Sequence, residues 1–150
     1  MELVILIGLQ GAGKSTFCKD KLFTKHLRIN LDMLKTRSRE KRIVQVCVET
    51  RQSFVVDNTN PTRAVRAVYI QAAKEAGFRV VGYYFQSSVE ACQRRNDLRP
   101  PAQRVPLRGI LGTASQMELP TREEGFDDLF YVRIDDTNEF VIEGWKDEVR

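Results

Sequence analysis

The chain has 150 residues, 24 of them Lys or Arg and 20 Asp or Glu, so its formal net charge is +4. This length is typical of one compact domain whose core needs no disulfide or metal, and residues 1–150 are therefore predicted to form a single domain. No apolar run approaches the roughly 18 residues of a spanning helix, so no membrane segment is predicted. The three cysteines form no C-x-x-C pair, which is typical of a reducing compartment, the cytoplasm or a eukaryotic nucleus.

The first third of the chain begins with an apolar run, Leu3 to Ile7, that is typical of a central parallel strand. A glycine-rich turn follows it, and then a helix from residue 14 to about residue 22 and a short strand over residues 26–31. Residues 33–52 combine helical spacing with four β-branched residues, which favour a strand. We predict a helix for this segment.

The alternation continues to the end of the chain. Pro61 suits the first position of a helix, with Thr59 or Asn60 as its cap. Ser87 and Thr121 are each followed three residues later by Glu, the spacing of a capping box. Strands are predicted over residues 53–57, 79–85 and 129–134, helices up to about residues 76, 96 and 116, a turn over 135–138, and either a hairpin strand or a packed tail over 140–145.

The turn after the first strand has the sequence GLQGAGKS and satisfies the P-loop pattern G-x-x-x-x-G-K-S. Its glycines permit positive-φ turns and let backbone N–H groups approach phosphate oxygens. In such a loop the lysine reaches the β- and γ-phosphates and the serine hydroxyl ligates Mg²⁺. We predict a site for ATP and Mg²⁺ formed by Gly8, Gly11, Ala12, Gly13, Lys14, Ser15 and Thr16.

A P-loop inside alternating strands and helices predicts the fold class. We expect an α/β fold of the P-loop NTPase kinase type, with a parallel sheet of about five strands and helices on both faces. The chain is too short for domains that couple hydrolysis to mechanical work. A phosphoryl-transfer domain needs a base for the acceptor hydroxyl, a second acidic residue near the metal, a cationic lid and an acceptor site.

Two aspartates follow predicted strands. Asp32 comes after the second strand, and the carboxyl ends of parallel strands face the ligand crevice, so it is either the base for an acceptor hydroxyl or the N-cap of a helix. Asp57 ends the third strand, where an acid ligates the metal or its water; the alternative is a turn-forming residue.

Three arginines lie where the helix before Pro100 ends. Arginine in this place either clamps phosphate in bidentate fashion or complements the helix dipole from solvent. Arg99 is favoured over Arg94 and Arg95 as the clamp. We predict that residues 98–117 form a lid and that residues 135–150 form a C-terminal turn and tail.

The charge is uneven along the chain. Residues 1–117 hold 20 basic and 9 acidic residues, whereas residues 118–150 hold 4 basic and 11 acidic ones. Two interpretations are open: solvated surface of both signs, or a basic portion that contacts phosphates.

Together these residues resemble the kinase domain of eukaryotic polynucleotide kinase/phosphatase and its phage and bacterial 5′-hydroxyl kinase relatives. The likeness extends over about residues 3–134. The most specific runs are V-V-D-N-T-N-P at 55–61, A-K-E-A-G at 73–77, R-R-N-x-x-R at 94–99 and P-T-x-x-E-G-F at 120–126.

The resemblance implies transfer of the ATP γ-phosphoryl group to the 5′-hydroxyl end of a nucleic acid, DNA or RNA. Two alternatives stay open: a kinase of a small-molecule hydroxyl, and a module that binds ATP without useful transfer. The oligomeric state is left open. The implied roles are Lys14 and Ser15 for ATP and Mg²⁺, Asp32 as general base, Asp57 as support of the P-loop and metal region, Arg99 as lid arginine on the ATP phosphates, Arg95 near the adenine face, and Lys35 where phage enzymes hold the acceptor's phosphate with arginine.

Overall fold

The structure, a computed structural model, describes residues 1–86 and 88–146, and its centre is one twisted sheet. The strands within these residues are β1 (Glu2–Ile7), β2 (Leu27–Ile29), β3 (Phe54–Asp57), β4 (Arg79–Phe85), β5 (Asp128–Ile134) and β6 (Phe140–Gly144). Their order in the sheet is β2-β3-β1-β4-β5-β6. The first five strands are parallel, as predicted, and β6 pairs antiparallel with β5, which decides for the hairpin at residues 140–145.

Helices fill the segments between the strands. They are α1 (Lys14–Phe17), which continues as a π-helical turn over Cys18–Leu22, α2 (Leu31–Leu34), α3 (Arg37–Thr50), α4 (Arg63–Glu75), α5 (Val89–Asp97) and α6 (Leu107–Gln116), with 3₁₀ turns at Pro101–Gln103 and Arg122–Glu124. The helix predicted over residues 33–52 is largely confirmed, but a break separates α2 from α3. The break lies at Lys35, whose φ is 74°, and Thr36 then caps α3.

The N-cap of α4 is not at the predicted position. The predicted cap of α4, Asn60 or Thr59, is wrong, because the Thr62 hydroxyl accepts the Val65 N–H at 3.2 Å and begins the helix. The Asn60 side chain is already used, since its amide donates to the carbonyl of Leu6 at 2.7 Å.

The two predicted capping boxes have different outcomes. Ser87 lies outside the described residues, and the neighbouring Ser88 caps α5 through the Ala91 N–H. The box at Thr121 and Glu124 is present.

The core has two layers, one on each face of the sheet. Leu3, Ile5 and Ile7 of β1 pack with residues of α3 and α4, whereas Val4 and Leu6 pack with residues of α1, α5 and α6. Because successive side chains of a strand point to opposite faces, an unbroken apolar run such as β1 requires cover on both sides. This arrangement confirms the predicted α/β fold with helices on both faces.

The strand order brings the candidate residues to one edge. β1, β2 and β3 are neighbours, so the P-loop after β1, Asp32 after β2 and Asp57 at the end of β3 share the carboxyl edge of the sheet. Among the described helices none combines the length and apolar character needed to cross a membrane. The three cysteines are buried and unpaired.

A buried ion pair joins α4 to the turn before β5. Arg66 is fully buried, and its guanidinium donates to both carboxylate oxygens of Glu124, at 2.8 and 3.3 Å, and to the carbonyl of Asn60 at 2.9 Å. We expect Glu124→Ala to lower the free energy of unfolding by about 3–5 kcal/mol, because it leaves a buried charge uncompensated. Urea unfolding followed by circular dichroism measures the change.

The adjacent residue provides the matched control. Glu123 lies in the same turn but is exposed, so Glu123→Ala should change the free energy of unfolding by no more than about 0.5 kcal/mol. Equal, small changes for the two variants would show that the pair contributes little to stability.

Candidate active site

The P-loop has the backbone of a phosphate-binding loop. Gly11 and Gly13 have φ values of 83° and 100°, which disfavour any residue with a side chain. A Cβ atom at Gly11 would also collide with the carbonyl group of Cys92 in α5. The positive-φ turn is the one that the sequence pattern predicts, and at Gly11 the turn also packs directly against α5.

Lys14 folds back over this loop. Its ammonium group donates to the carbonyls of Gly8 at 3.0 Å and Leu9 at 2.7 Å, and the residue is buried. Burial lowers the pKa of Lys14 from 10.5 to about 8, although the carboxylate of Asp57 opposes the shift. The loop thus holds a single buried cation that gains a partner when an anion enters.

Beside the loop, Ser15, Asp57 and Arg28 form a polar cluster. The Ser15 hydroxyl donates to Asp57 Oδ2 at 2.9 Å, and Arg28 Nε donates to the same oxygen at 2.8 Å. Hard oxygen donors of this kind fit Mg²⁺, which typically takes one or two protein oxygens together with substrate phosphates and water. The described residues contain no group of three or more His, Cys, Asp or Glu that could hold a metal by itself.

The D-N-T-N-P run ties the P-loop to β3. The N–H of Gly8 donates to the Thr59 carbonyl at 3.1 Å, and the buried Asn60 amide donates to the carbonyls of Leu6 and Val56. These bonds link the ends of β1 and β3, so the position of the loop is set by the strand that carries Asp57.

A second set of bonds places Asp32. Asn30 caps α2 by accepting the Met33 N–H at 3.0 Å, and its amide donates to the Asp57 carbonyl at 2.6 Å. The alternative that Asp32 is the N-cap is therefore wrong. Asp32 lies in the first turn of α2, and its carboxylate is exposed.

Five predicted residues line one cleft of about 330 Å³ at the carboxyl edge of the sheet, which we call the reaction cleft. They are Lys14, Ser15, Asp32, Asp57 and Arg99. The structure thus brings together the candidate donor site, metal ligands, base and lid arginine, although their roles stay predictions.

Next to the reaction cleft is a wider cavity of about 860 Å³, which we call the basic groove. Four cations line it, Arg28, Lys35, Arg99 and Arg104, and Asp32 is its one acidic lining residue among those described. Lys35 therefore lies on the same side of the P-loop as the candidate base.

Arg95 lies elsewhere. It donates to the carbonyl of Gly11 at 3.2 Å and lines a separate pocket of about 360 Å³ that it shares with Gly13, Thr16 and Phe140. Arg95 thus lies apart from the reaction cleft and the basic groove, whereas Thr16 lines both this pocket and the basic groove.

Comparison with known proteins decides the family. The profile of AAA_33, described as an AAA domain, matches residues 31–120, which is more than half of the chain. The chain belongs to the AAA_33 family. This AAA_33 chain is also 33% identical over 129 residues to the bifunctional polynucleotide phosphatase/kinase of Schizosaccharomyces pombe, covering 83% of this chain and 32% of that protein. It spans about a third of the length of the curated relative.

Solved structures share the fold. A gluconokinase from Sinorhizobium meliloti superposes with a TM-score of 0.61 at 17% identity, over 88% of this chain and 82% of that chain. Chaetomium thermophilum Kti12 in complex with ADP-AlF3 superposes with a TM-score of 0.62 at 16% identity, over 91% and 92%. The chain therefore shares the fold of these proteins, and it is an AAA_33 domain with a P-loop.

Sequence reasoning missed several site residues of this AAA_33 domain. Arg28 contacts both predicted metal ligands, and Asn30, Asn58 and Asn60 fix the segments that carry the candidate residues. The conspicuous D-N-T-N-P run contained a signal for the latter two, because asparagine amides after a strand satisfy loop carbonyls. For Arg28 the only signal was a charge on a short strand next to the site.

The buried lysine of the AAA_33 domain makes ATP binding depend on pH. Nucleotide phosphates favour the charged form of Lys14, so they raise its pKa above the value of about 8 in the free protein. Below that pH the proton is already present, whereas above it binding requires proton uptake. We expect ATP affinity to fall by up to about tenfold per pH unit above about pH 8.

Titration of a fluorescent ATP analogue from about pH 7 to about pH 9, below the usual pKa values of lysine and tyrosine, measures this effect. The Lys14→Ala variant is expected to bind the analogue weakly and without the fall. A flat wild-type profile, or the same fall in the variant, would contradict the assignment of Lys14 to the phosphates.

Proposed function

We propose that this domain transfers the γ-phosphoryl group of ATP to the 5′-hydroxyl of a polynucleotide. The observation that carries the proposal is the position of Asp32. It lines both the reaction cleft that holds Lys14 and the basic groove that leads away from it. A carboxylate at this junction meets a donor phosphate from one side and an anionic acceptor from the other.

The donor side uses the P-loop. The ATP phosphates bind to the N–H groups of the loop and to the Lys14 ammonium, which leaves the loop carbonyls for the anion. Ser15 and Asp57 would hold Mg²⁺, which neutralises charge on the phosphates when bound. The pocket that Arg95 lines together with Gly13 and Phe140 receives the adenosine part.

The transfer step is an in-line displacement at the γ-phosphorus. The acceptor hydroxyl gives its proton to the Asp32 carboxylate as its oxygen forms a bond to the γ-phosphorus. The bond between that phosphorus and the oxygen that bridges it to the β-phosphorus breaks, and ADP leaves with the bond's electrons. Lys14 and Arg99 line the cleft and stabilise the charge of the transferring group.

The same geometry supports the proposed lid. Arg99 lies between the end of α5 and Pro100, and its backbone carbonyl accepts from Arg104 Nε at 2.8 Å. The segment 98–117 carries both arginines, which line the basic groove, and α6. We therefore assign residues 98–117 as the lid over the reacting phosphoryl group.

The acceptor is argued from charge and from the relatives. Four cations around a single carboxylate are suited to a chain of phosphates, whereas a neutral sugar carries no charge for them to bind. Lys35 and Arg104 have no proposed role in binding the metal or the donor nucleotide. We therefore assign them to the phosphates of the acceptor. The name of the fission-yeast relative, a polynucleotide phosphatase/kinase, supports the same acceptor.

An acceptor screen with γ-labelled ATP tests the proposal. It compares 5′-hydroxyl oligonucleotides of DNA and RNA with nucleosides, nucleoside 3′-monophosphates and sugars, beside an ATP hydrolysis control without acceptor. Label in an oligonucleotide is the expected result. Label only in a small molecule would make the domain a small-molecule kinase, and label in none would leave an ATP-binding module.

A further inference from the structure

Arg28 occupies the place where the two candidate metal ligands meet. Its Nε donates to Asp57 Oδ2 at 2.8 Å, and its Nη2 donates to the Ser15 hydroxyl at 3.3 Å. The Asp57 side chain is only 1% exposed, whereas that of Arg28 is 37% exposed. A guanidinium that remains accessible from solvent therefore covers the two candidate metal ligands.

The ion pair of Arg28 and Asp57 neutralises a buried charge. A buried carboxylate is costly unless a cation neutralises it, and Arg28 is the cation within hydrogen-bond distance of Asp57 among the described residues. Arg28 also occupies the position that a metal would need, because the oxygens that it contacts, Asp57 Oδ2 and the Ser15 hydroxyl, are the candidate metal ligands. A divalent ion held by Ser15 and Asp57 repels a guanidinium at this distance.

The basic groove offers the place to which Arg28 moves. Arg28 already lines it, together with Lys35 and Arg104, and Asp32 is the adjacent carboxylate. Once a metal replaces Arg28 at Asp57, the guanidinium has all five N–H donors free, and two of them can bind a phosphate in bidentate fashion. A phosphate in the groove would then lie close to the candidate base.

We propose that Arg28 and Mg²⁺ exchange at Asp57, and that the displaced guanidinium binds a phosphate of the acceptor strand. Arg28 is thereby a positioning residue that couples the loading of metal and nucleotide to the binding of the acceptor. The acceptor half of this statement rests on the proposed function, whereas the exchange at Asp57 does not. Reciprocity of coupling requires that the acceptor, in turn, strengthens the binding of metal and nucleotide.

The first experiment measures the exchange without any acceptor. The affinity of the full chain for a fluorescent ADP analogue is determined with Mg²⁺ and with EDTA, and the ratio of the two affinities reports the metal. In Arg28→Gln, Mg²⁺ no longer displaces a cation, so this ratio should rise by about twofold to fivefold, as expected for a partly exposed ion pair. An unchanged or smaller ratio overturns the exchange.

Two further variants keep the experiment decisive. Arg94→Gln removes an exposed arginine of α5 that lines neither the reaction cleft nor the basic groove, and it should leave the ratio unchanged. Arg28→Lys keeps the charge and should show a ratio close to that of the wild type. Urea unfolding of all variants identifies any that is misfolded.

The second experiment measures the coupling to the acceptor. A 5′-hydroxyl oligonucleotide labelled at its 3′ end is titrated with Mg²⁺ and ADP present and with both absent. We expect tighter binding with Mg²⁺ and ADP in the wild type and loss of that increase in Arg28→Gln. A full increase in the variant overturns the coupling, and absence of oligonucleotide binding in both proteins overturns the acceptor half together with the proposed acceptor, while the first experiment still decides the exchange.

Discussion

Replacement of Arg99 by alanine should lower the rate of phosphoryl transfer by about 10³–10⁵, the effect of an arginine that neutralises charge on a transferring phosphoryl group. Arg99 lines the reaction cleft together with Lys14. Burial lowers the pKa of Lys14 and the positive charge of Arg99 adds to the shift, so the two cations act on the same part of the cleft. Because Arg99 stabilises the transition state more than the ground state, the affinity for ATP should change far less than the rate. Single-turnover kinetics with saturating acceptor measure the loss.

The matched control is Arg94→Ala. Arg94 is exposed on α5, lines neither the reaction cleft nor the basic groove, and lies in the same R-R-N-x-x-R run. Its replacement should leave the rate close to that of the wild type. Losses of similar, small size in both variants would remove Arg99 from the transfer step and with it the assignment of residues 98–117 as a lid.

Asp32→Asn should lower the transfer rate by about 10²–10⁴ and leave ATP affinity close to that of the wild type, because asparagine keeps the size of the side chain but cannot accept the proton. Asp32 is exposed and makes no cap, since Asn30 caps α2. The substitution should therefore have little effect on stability. Parallel measurements of transfer, nucleotide binding and urea unfolding separate the three quantities.

The exposed Asp97, the last residue of α5, provides the control for Asp32. Asp97→Asn makes the same chemical change away from the cleft and should transfer phosphate at the normal rate. If Asp32→Asn also transferred at the normal rate, Asp32 would have no part in proton transfer. The domain would then need another base, and the choice between a kinase and a binding module would have to be made again.

The sheet and the P-loop could be predicted from the sequence because both depend on local signals. The five-residue apolar run of β1 has a single physical interpretation, a strand covered on both faces, and the G-x-x-x-x-G-K-S pattern fixes where the chain turns after it. The helix α3 was harder, because its β-branched residues favour a strand while their spacing favours a helix. Burial of Val44 and Cys47 against the sheet decides for the helix.

The details that failed depend on contacts between distant segments. Asn60 is a good N-cap residue by composition, yet its amide binds Leu6 from β1, so the cap passes to Thr62. Nothing local to Arg28 shows that its guanidinium reaches Asp57, because that contact exists only once β2 has paired with β3. The positions of individual side chains across the sheet therefore required the structure.

The measurement that tests the account most directly is transfer of label from γ-labelled ATP to two forms of one oligonucleotide, one with a 5′-hydroxyl and one with a 5′-phosphate. The wild-type domain should label the first at its 5′ end and leave the second unlabelled, because only the first offers a hydroxyl to Asp32. Absence of label from both forms, in a preparation that binds ATP and phosphorylates a small hydroxyl compound, would contradict the proposed acceptor.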